Sequence, residues 1–561
     1  TAHTPYHAPQ EWVDKYKGRF DSGWDEYARI TFENQLRMGV VPEGTKPAYK
    51  GEKRMKRLGM LSCAVALALA GNGFALLEKS TPEAEGISST AIDAWITACE
   101  RELDAVHGFV LLRHGKTVAE GWWKPFSAER THILYSHSKS FTSTAIGFLI
   151  DDGKLDLDEC LVDIFPDRLP ENPPDNLKRL RVRDLLTMNT GMPYTDAERK
   201  DIGGDWVNLF LANPVNDRPG TCFRYDSCAT HVLAAIVEKR SGKKLMDFLK
   251  ERLFDPIGIT KAWSNCSPTG IACGGWGMSM TTRELARFGQ LYLQEGMWDG
   301  NRILSREWVR LATSRQTYNG GKIGVKQIDQ SDWSQGYGFQ FWRCRFNCFR
   351  ADGASGQLTV VMPDQDAVLS VHAGLGPMQQ ELDLIWKYLL PAFQNAPLPA
   401  NPDAANALAA RCAALSLKTI DGKKEGTEAI FGRTYALEGN QPRFHFTSVR
   451  LEKRDNGWEI IAVGDTGEQH FPVGFGEWRE GKVKLENKTY EGLGGIIGEQ
   501  SVASSGAWTA PDTFRVRTYL NDGFFRLDAD FRFVADGSLS LSYNLTGWGN
   551  GRANLTGKAR E

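Results

Sequence analysis

The 561 residues carry no excess of either charge: 67 Lys and Arg stand against 69 Asp and Glu, a formal net charge of -2. Without a basic surplus or a long block of like charge, nucleic acid is excluded as the expected partner. No CxxC pair, HExxH or Cys/His cluster has zinc-like spacing, so no metal is expected and no cofactor is called for. No G-x-S-x-G occurs, which excludes the strand–turn–helix nucleophile elbow. Gly115-Lys116-Thr117 lacks the Gly five residues before Gly115 that a phosphate loop requires. The apolar run Leu61–Ala70 falls short of the about 20 residues a spanning helix needs, so no stable membrane anchor is expected.

What is present suits a large globular chain. Hydrophobic residues make up 41% and charged residues 24%, ample for a core, and the length allows two or three domains. Gly (57) and Trp (17) are both frequent, as in a sheet-rich enzyme with an aromatic-lined cleft. Ten Cys occur. Cys63 sits in the apolar run, and Cys344 and Cys348 flank a short turn, where they form either a cross-strand bridge or two thiols.

Residues Met55–Ala75 begin with Lys56 and Arg57, continue through the apolar run and end on Gly73 and Ala75, the pattern of a secretory signal peptide. This implies an exported protein, periplasmic or secreted, of bacterial type. Residues 1–54 precede it. Their TPYHAP and FDSGWD runs, within residues 1–47, resemble an internal stretch of arylsulfatases, although the sulfatase CxPSR motif is absent. Residues 1–54 are therefore expected to be a fused remnant, with Met55 the natural start; the alternative is a helical extension.

Residues 76–398 alternate strand and helix patterns. Gly108–Arg113 and Thr117–Trp123 read as a hairpin through His114-Gly115-Lys116, and Ser136–Ile150 and Ser227–Arg240 as helices. Tyr337–Arg343, Phe349–Ala351, Gln357–Met362 and Ala367–His372 read as successive strands, with Met378–Leu390 a closing helix. Gln394–Ala407, rich in Pro, Ala and Asn, reads as a linker. Residues 408–561 then alternate with period two, which predicts an all-β domain, barrel or sandwich.

Three segments carry chemistry. In Tyr135-Ser136-His137-Ser138-Lys139, Ser136 and Lys139 lie three apart and share one helix face. In the first turn, free backbone N–H groups and the positive end of the helix dipole favour a developing oxyanion. A neighbouring amine can take or hold the hydroxyl proton. A bare SxxK is common, and alone would be an N-capping Ser with a solvated Lys; the apolar continuation AIGFLI instead predicts a buried helix. The second segment, Arg218-Pro219-Gly220 through Tyr225-Asp226-Ser227, turns at Pro-Gly and places Tyr225 just before a helix. The third is Arg350-Ala351-Asp352-Gly353-Ala354, a Gly-rich strand.

Together these resemble the serine β-lactamase and penicillin-binding-protein-like family, which includes class C β-lactamases, family VIII esterases and 6-aminohexanoate-dimer hydrolases. Asp184–Met188 and Gly274–Leu293 also look like that family's landmarks, and the resemblance spans about residues 80–395. It implies an α/β sandwich, an antiparallel sheet flanked by helices, followed here by the all-β domain. It implies Ser136 as nucleophile, with Lys139 and Tyr225 handling protons. Gly353 would let substrate backbone approach, and the N–H of Ala354 would join that of Ser136 as oxyanion donors. Ser227, which stands where relatives often carry Asn, and Asp352 would also line the substrate site. Ala351 and Asp352 occupy the positions where relatives carry Lys or His and its neighbour. The missing cation favours a neutral ester or amide, unless Arg350 substitutes from one residue away. His372 reads as a core or edge histidine rather than a site residue.

The expected activity is hydrolysis of a small-molecule ester or amide through an acyl-enzyme. The alternatives are a lactam or wall-peptide substrate, and a catalytically silent binder of wall peptides or glycans on the same fold.

Overall fold

A computed structural model describes residues 77–193, 204–320, 325–442, 444–485, 498–546 and 551–560. The expected remnant, signal peptide and Cys63 lie outside these residues.

The chain enters helix α1 (Ser89–Glu102), where the Ser88 side chain accepts from the Ala91 N–H and caps the first turn. The predicted hairpin follows as β1 (Val106–Arg113) and β2 (Lys116–Trp122), turning through His114 and Gly115, both at positive φ. A short strand β3 (His132–Ile133) leads to a 3-10 turn at Tyr135–His137 and then α2 (Ser138–Asp151). Helix α3 (Ser227–Ser241) is capped by Asp226 and stopped by Gly242 at φ 71°. Strands β4 (Trp263–Ser264) and β5 (Met278–Met280) form a small sheet with β3, and α4 (Thr282–Leu293) opens on a Thr281/Glu284 capping box. The remaining strands are β6 (Trp342–Arg343), β7 (Phe349–Gly353), β8 (Gln357–Met362) and β9 (Ala367–Ala373). They complete a six-stranded antiparallel sheet of order β2-β1-β9-β8-β7-β6.

The two-residue period of β1 explains the layers. Phe109 and Leu111 pack with Trp95, Ile96, Leu382 and Leu384, from α1 and the closing helix α5 (Met378–Leu384). Val110 and Leu112 pack with Phe141, Ile146, Leu285 and Phe288 of α2 and α4. The sheet is thus covered on both faces, as the α/β sandwich requires.

Two expectations change. Tyr337–Phe341 is not a strand, because Gly336 and Gln340 take positive φ and break the ladder; only Trp342–Arg343 pairs with β7. Helix α6 (Pro402–Ala414) starts within the expected linker and runs past residue 408, where the all-β domain was expected to begin; Asn401, whose side chain accepts from Ala404 N, starts it, with Pro402 at the first helical position. Alanines serve the helix here, and its Leu408 and Cys412 are buried in the same cluster as α1. Gly121 on β2 admits this close approach: a Cβ there would lie 2.7 Å from Leu415 Cδ1.

Beyond α6, ten strands form one sheet: β10 (Thr434–Asn440), β11 (Phe446–Arg454), β12 (Gly457–Gly464), β13 (Gly467–Gly474), β14 (Arg479–Lys484), β15 (Glu499–Ala510), β16 (Thr513–Leu520), β17 (Arg526–Phe533), β18 (Leu539–Thr546) and β19 (Arg552–Ala559). The order is β13-β12-β11-β10-β19-β18-β17-β16-β15-β14, and a parallel pairing of β13 with β15 closes it into a barrel. Its interior holds Leu451, Trp458, Val473, Phe514 and Leu541. The barrel meets the sandwich through Arg130–Glu480 at 2.5 Å and a bond from Trp478 Nε1 to Leu417 O at 3.1 Å. Cys344 and Cys348 are buried free thiols. Among the described residues, no helix is long and apolar enough to cross a membrane.

Candidate active site

Ser136 lies in the 3-10 turn that leads into α2, a turn closed by His137 N donating to Leu134 O at 3.2 Å. Helix α2 is buried on all sides. Its apolar residues meet the core, and its hydroxyls donate to loop carbonyls: Ser140 to Gln340 O and Ser143 to Phe339 O, each at 2.7 Å. Gly147 packs flat on Trp308, where a Cβ would sit 2.6 Å from the indole. These contacts fix the helix and with it the nucleophile turn. Tyr135, just ahead of Ser136, is at φ 47°, a left-handed conformation that a bulky residue adopts only when its surroundings impose it.

Lys139, one turn on, is 1% exposed. Its Nζ bonds Ser136 Oγ at 3.0 Å, Ser227 Oγ at 3.0 Å and Gly275 O at 2.6 Å. The Tyr225 ring centroid lies 4.9 Å from the same Nζ. Residues from α2 and from the segment before α3 therefore converge on one amine. Ser227, expected as a substrate contact, also helps cradle Lys139.

Gly275 was not legible as a site residue, because a backbone carbonyl has no side-chain signature. The signal was the double glycine. A Cβ at Gly274 would be 2.4 Å from Thr142 Oγ1, and one at Gly275 would be 2.7 Å from Ser227 O. Only glycines let this loop come close enough to aim a carbonyl at Lys139.

An aromatic wall stands beside these groups. Tyr225 stacks on Trp342 at 5.6 Å and meets Tyr337 edge-on at 6.2 Å, while Trp342 and Tyr337 meet edge-on at 4.9 Å. Gln340 pins the loop carrying them: it accepts from Thr230 Oγ1 at 2.7 Å and donates to Leu186 O at 2.8 Å.

Strand β7 supplies the third segment. A Cβ at Gly353 would fall 1.9 Å from Leu134 O, so this glycine seats the strand against the nucleophile turn. That is a tighter constraint than the expected approach of substrate. Ala354, next along, packs with Ile133 and Tyr135. Ala351 faces the apolar core with Phe349. Arg350 cannot stand in for the missing cation. It is fully buried, with Nε on Asp352 at 2.6 Å and Nη1 on Asp332 O at 2.9 Å. Asp352 is accordingly committed to Arg350. Burial holds its carboxyl above the usual range, against the lowering pull of Arg350 and Lys139. His372 is a core residue, as expected: its Nδ1 is 3.0 Å from Gln357 Oε1 and its ring stacks on His132 at 4.6 Å. Among the described residues, no group of His, Cys, Asp or Glu is placed to hold a metal ion.

The sequence model of the beta-lactamase family matches residues 96–390. The chain is similar to the 6-aminohexanoate-dimer hydrolase of Paenarthrobacter ureafaciens, 27% identical over 250 residues, covering 41% of this chain and 64% of that protein. It is similar to the D-aminopeptidase of Brucella anthropi, 25% identical over 192 residues, covering 31% of this chain and 35% of that one. The chain thus spans less than two thirds of the length of either relative. A penicillin-binding protein homologue from Caulobacter crescentus superposes with a TM-score of 0.44 at 16% identity, over 54% of this chain and 97% of its own.

Proposed function

The chain belongs to the beta-lactamase family, and on that premise we propose that it is a serine hydrolase cleaving a neutral small-molecule ester or amide through an acyl-enzyme. One observation carries the reading: a buried Lys139 Nζ within 3.0 Å of both Ser136 Oγ and Ser227 Oγ, with the Tyr225 ring against it.

Gly275 O can only accept, and Ser227 Oγ can accept as well. As a neutral amine, Lys139 would place its two N–H groups on these oxygens and point its lone pair at the Ser136 hydroxyl. As Ser136 Oγ bonds to the substrate carbonyl carbon, its proton passes to Lys139 and the carbonyl π pair moves to oxygen. The N–H groups of Ser136 and Ala354 then bind the oxyanion; losing one such donor costs about 3–4 kcal/mol of barrier. Collapse breaks the bond to the leaving group, which departs with a proton relayed from Lys139 by Tyr225. Water then attacks the acyl carbon as one of its protons passes to the amine; collapse breaks the Oγ–acyl bond and releases the acid, and the amine hands that proton to Ser136 Oγ.

The absence of an available cation on β7 supports a neutral acyl group, since a substrate carboxylate would find Arg350 already bonded to Asp352 and Asp332 O. The aromatic wall supports an apolar one. The names of the relatives, a dimer hydrolase and an aminopeptidase, support bond cleavage of this class. The pattern at Met55–Ala75 supports action outside the cytoplasm.

The test is mass spectrometry of the protein incubated with short-chain nitrophenyl esters, a peptide amide and a chromogenic β-lactam. An acyl adduct on Ser136 from the esters or amide is expected. Ser136→Ala should lose turnover and adduct while melting as the parent does. Turnover by that variant refutes the assignment, and an adduct from the lactam alone moves the substrate class.

A further inference from the structure

The barrel reaches the nucleophile turn. At the tip between β16 and β17, Asp522 O accepts from Ile133 N at 3.0 Å, and the Phe524 ring meets Tyr135 edge-on at 5.2 Å. A Cβ at Gly523 would lie 3.3 Å from Ile133 Cγ2. On the other side, Leu134 N donates to Met278 O at 2.8 Å. The three residues before Ser136 are thus gripped between β5 of the sandwich and a turn of the barrel. Ala354, which carries the second proposed oxyanion donor, packs into the same small cluster of Ile133, Tyr135 and Phe524.

The tip is itself rigid. Asp522 Oδ2 accepts from Ser501 N at 2.9 Å, Asn521 N donates to Ser501 O at 2.8 Å, and Leu520 N donates to Phe525 O at 3.0 Å. Phe525 stacks on Phe524 at 4.4 Å and so backs the ring that presses on Tyr135. What the tip holds is the strained residue of the site, Tyr135 at φ 47°. A left-handed tyrosine needs contacts that penalise its return to the extended or helical basin.

We infer that Phe524 is a positioning residue: the barrel turn holds Tyr135 in its left-handed conformation and thereby sets the direction of Ser136 Oγ and its spacing from Ala354 N–H. The second domain is then part of the reaction apparatus. The inference rests on Ser136 being the nucleophile.

The experiment uses the full chain as wild type, Phe524→Ala, Phe524→Leu and Asp522→Ala. The rate of fluorophosphonate labelling is read with the labelled residue identified, alongside kcat and KM on a nitrophenyl ester and the melting temperature. Phe524→Ala is expected to slow labelling of Ser136 and kcat at least tenfold, with KM changing less than threefold. Phe524→Leu, which restores apolar bulk, should return both to within threefold of wild type. A folded Phe524→Ala that labels and turns over as wild type overturns the inference while leaving the nucleophile assigned. If Phe524→Ala does not fold, Asp522→Ala decides, since it loosens the tip from the partly exposed side; unchanged labelling there overturns it too. A wild type that is not labelled at Ser136 overturns the nucleophile assignment, and this inference with it.

Discussion

Acidification below about pH 6.5 should steeply lower the stability of this protein. Five histidines, His107, His132, His137, His231 and His372, are almost wholly inaccessible. Burial pushes each below the ordinary value of 6.5: His132 and His231 to about 4, His137 to about 3, and His107 and His372 well below 6.5. The folded chain therefore keeps all five uncharged, whereas the unfolded chain protonates each as pH falls through 6.5. Because the folded values are depressed, the stability is fully present above about pH 6.5 and is lost toward pH 4. A histidine held near 3–4 costs about 1.4 kcal/mol per pH unit in that window, so at pH 5.5 His132, His137 and His231 cost about 4 kcal/mol, and His107 and His372 act in the same direction. Glu381 acts in the opposite sense. Burial holds its carboxyl well above 4.5, so the folded state gains from its proton and part of the loss is offset. The total stability of a folded domain is typically about 5–15 kcal/mol, so a loss of several kcal/mol is a large share of it. Urea unfolding followed by tryptophan fluorescence at pH 7.5, 6.5 and 5.5 measures it, and the midpoint should fall steeply in the last interval. His231→Phe, in a pocket with Trp206 at 5.2 Å, should flatten the slope by about one fifth. A change below about 2 kcal/mol between pH 7.5 and 5.5 would refute the reasoning, because the histidines would then be charged or hydrated in the folded state.

Other outcomes follow from single contacts. Lys139→Met should lower kcat by about 10²–10⁴-fold with far less effect on KM, read by ester kinetics, since it removes the amine, 3.0 Å from Ser136 Oγ, that is proposed to take the proton. Gly353→Ala must move Leu134 or β7, because the new methyl would sit 1.9 Å from Leu134 O; a stability loss of about 1–3 kcal/mol in urea titration and a drop in kcat are expected together. In a native thiol titration, exposed Cys222 should react first and exposed Cys266 later, its thiol pushed up by burial and by Glu238. Buried Cys99, Cys228, Cys273, Cys344, Cys348 and Cys412 should react only on unfolding.

The parts of the site that were legible in sequence are those written in side chains at short spacing. Ser136 and Lys139 share a helix face by periodicity alone, and Tyr225 is marked by its place between a Pro-Gly turn and a capped helix. The cradle around Lys139 was less legible, because Gly275 contributes a carbonyl and Ser227 was read as facing substrate. At Tyr337–Phe341 the aromatic alternation of a strand was present, but positive φ at Gln340 and the bonds of its side chain to Leu185 and Leu186 override it. Pro402–Ala414 misled in the other direction. Pro and Asn, read as linker residues, are the start signal of a helix when a run of alanines follows. The contact of Phe524 with Tyr135 joins positions far apart in the chain, and no local pattern announces it.

Helix α6 has a consequence for solubility. Strand β2 ends the six-stranded sheet, and its outer edge would present bare N–H and C=O groups to any passing chain. Thr117 is instead bonded to the backbone of Glu78 and Ser80, and Lys124 to that of Leu415 and Leu417, with α6 lying along the strand between them. The rim is sealed by the chain's own flanking segments. Cutting the protein at Gln394, where the composition suggests a clean division, would strip that seal and leave a fragment prone to self-association.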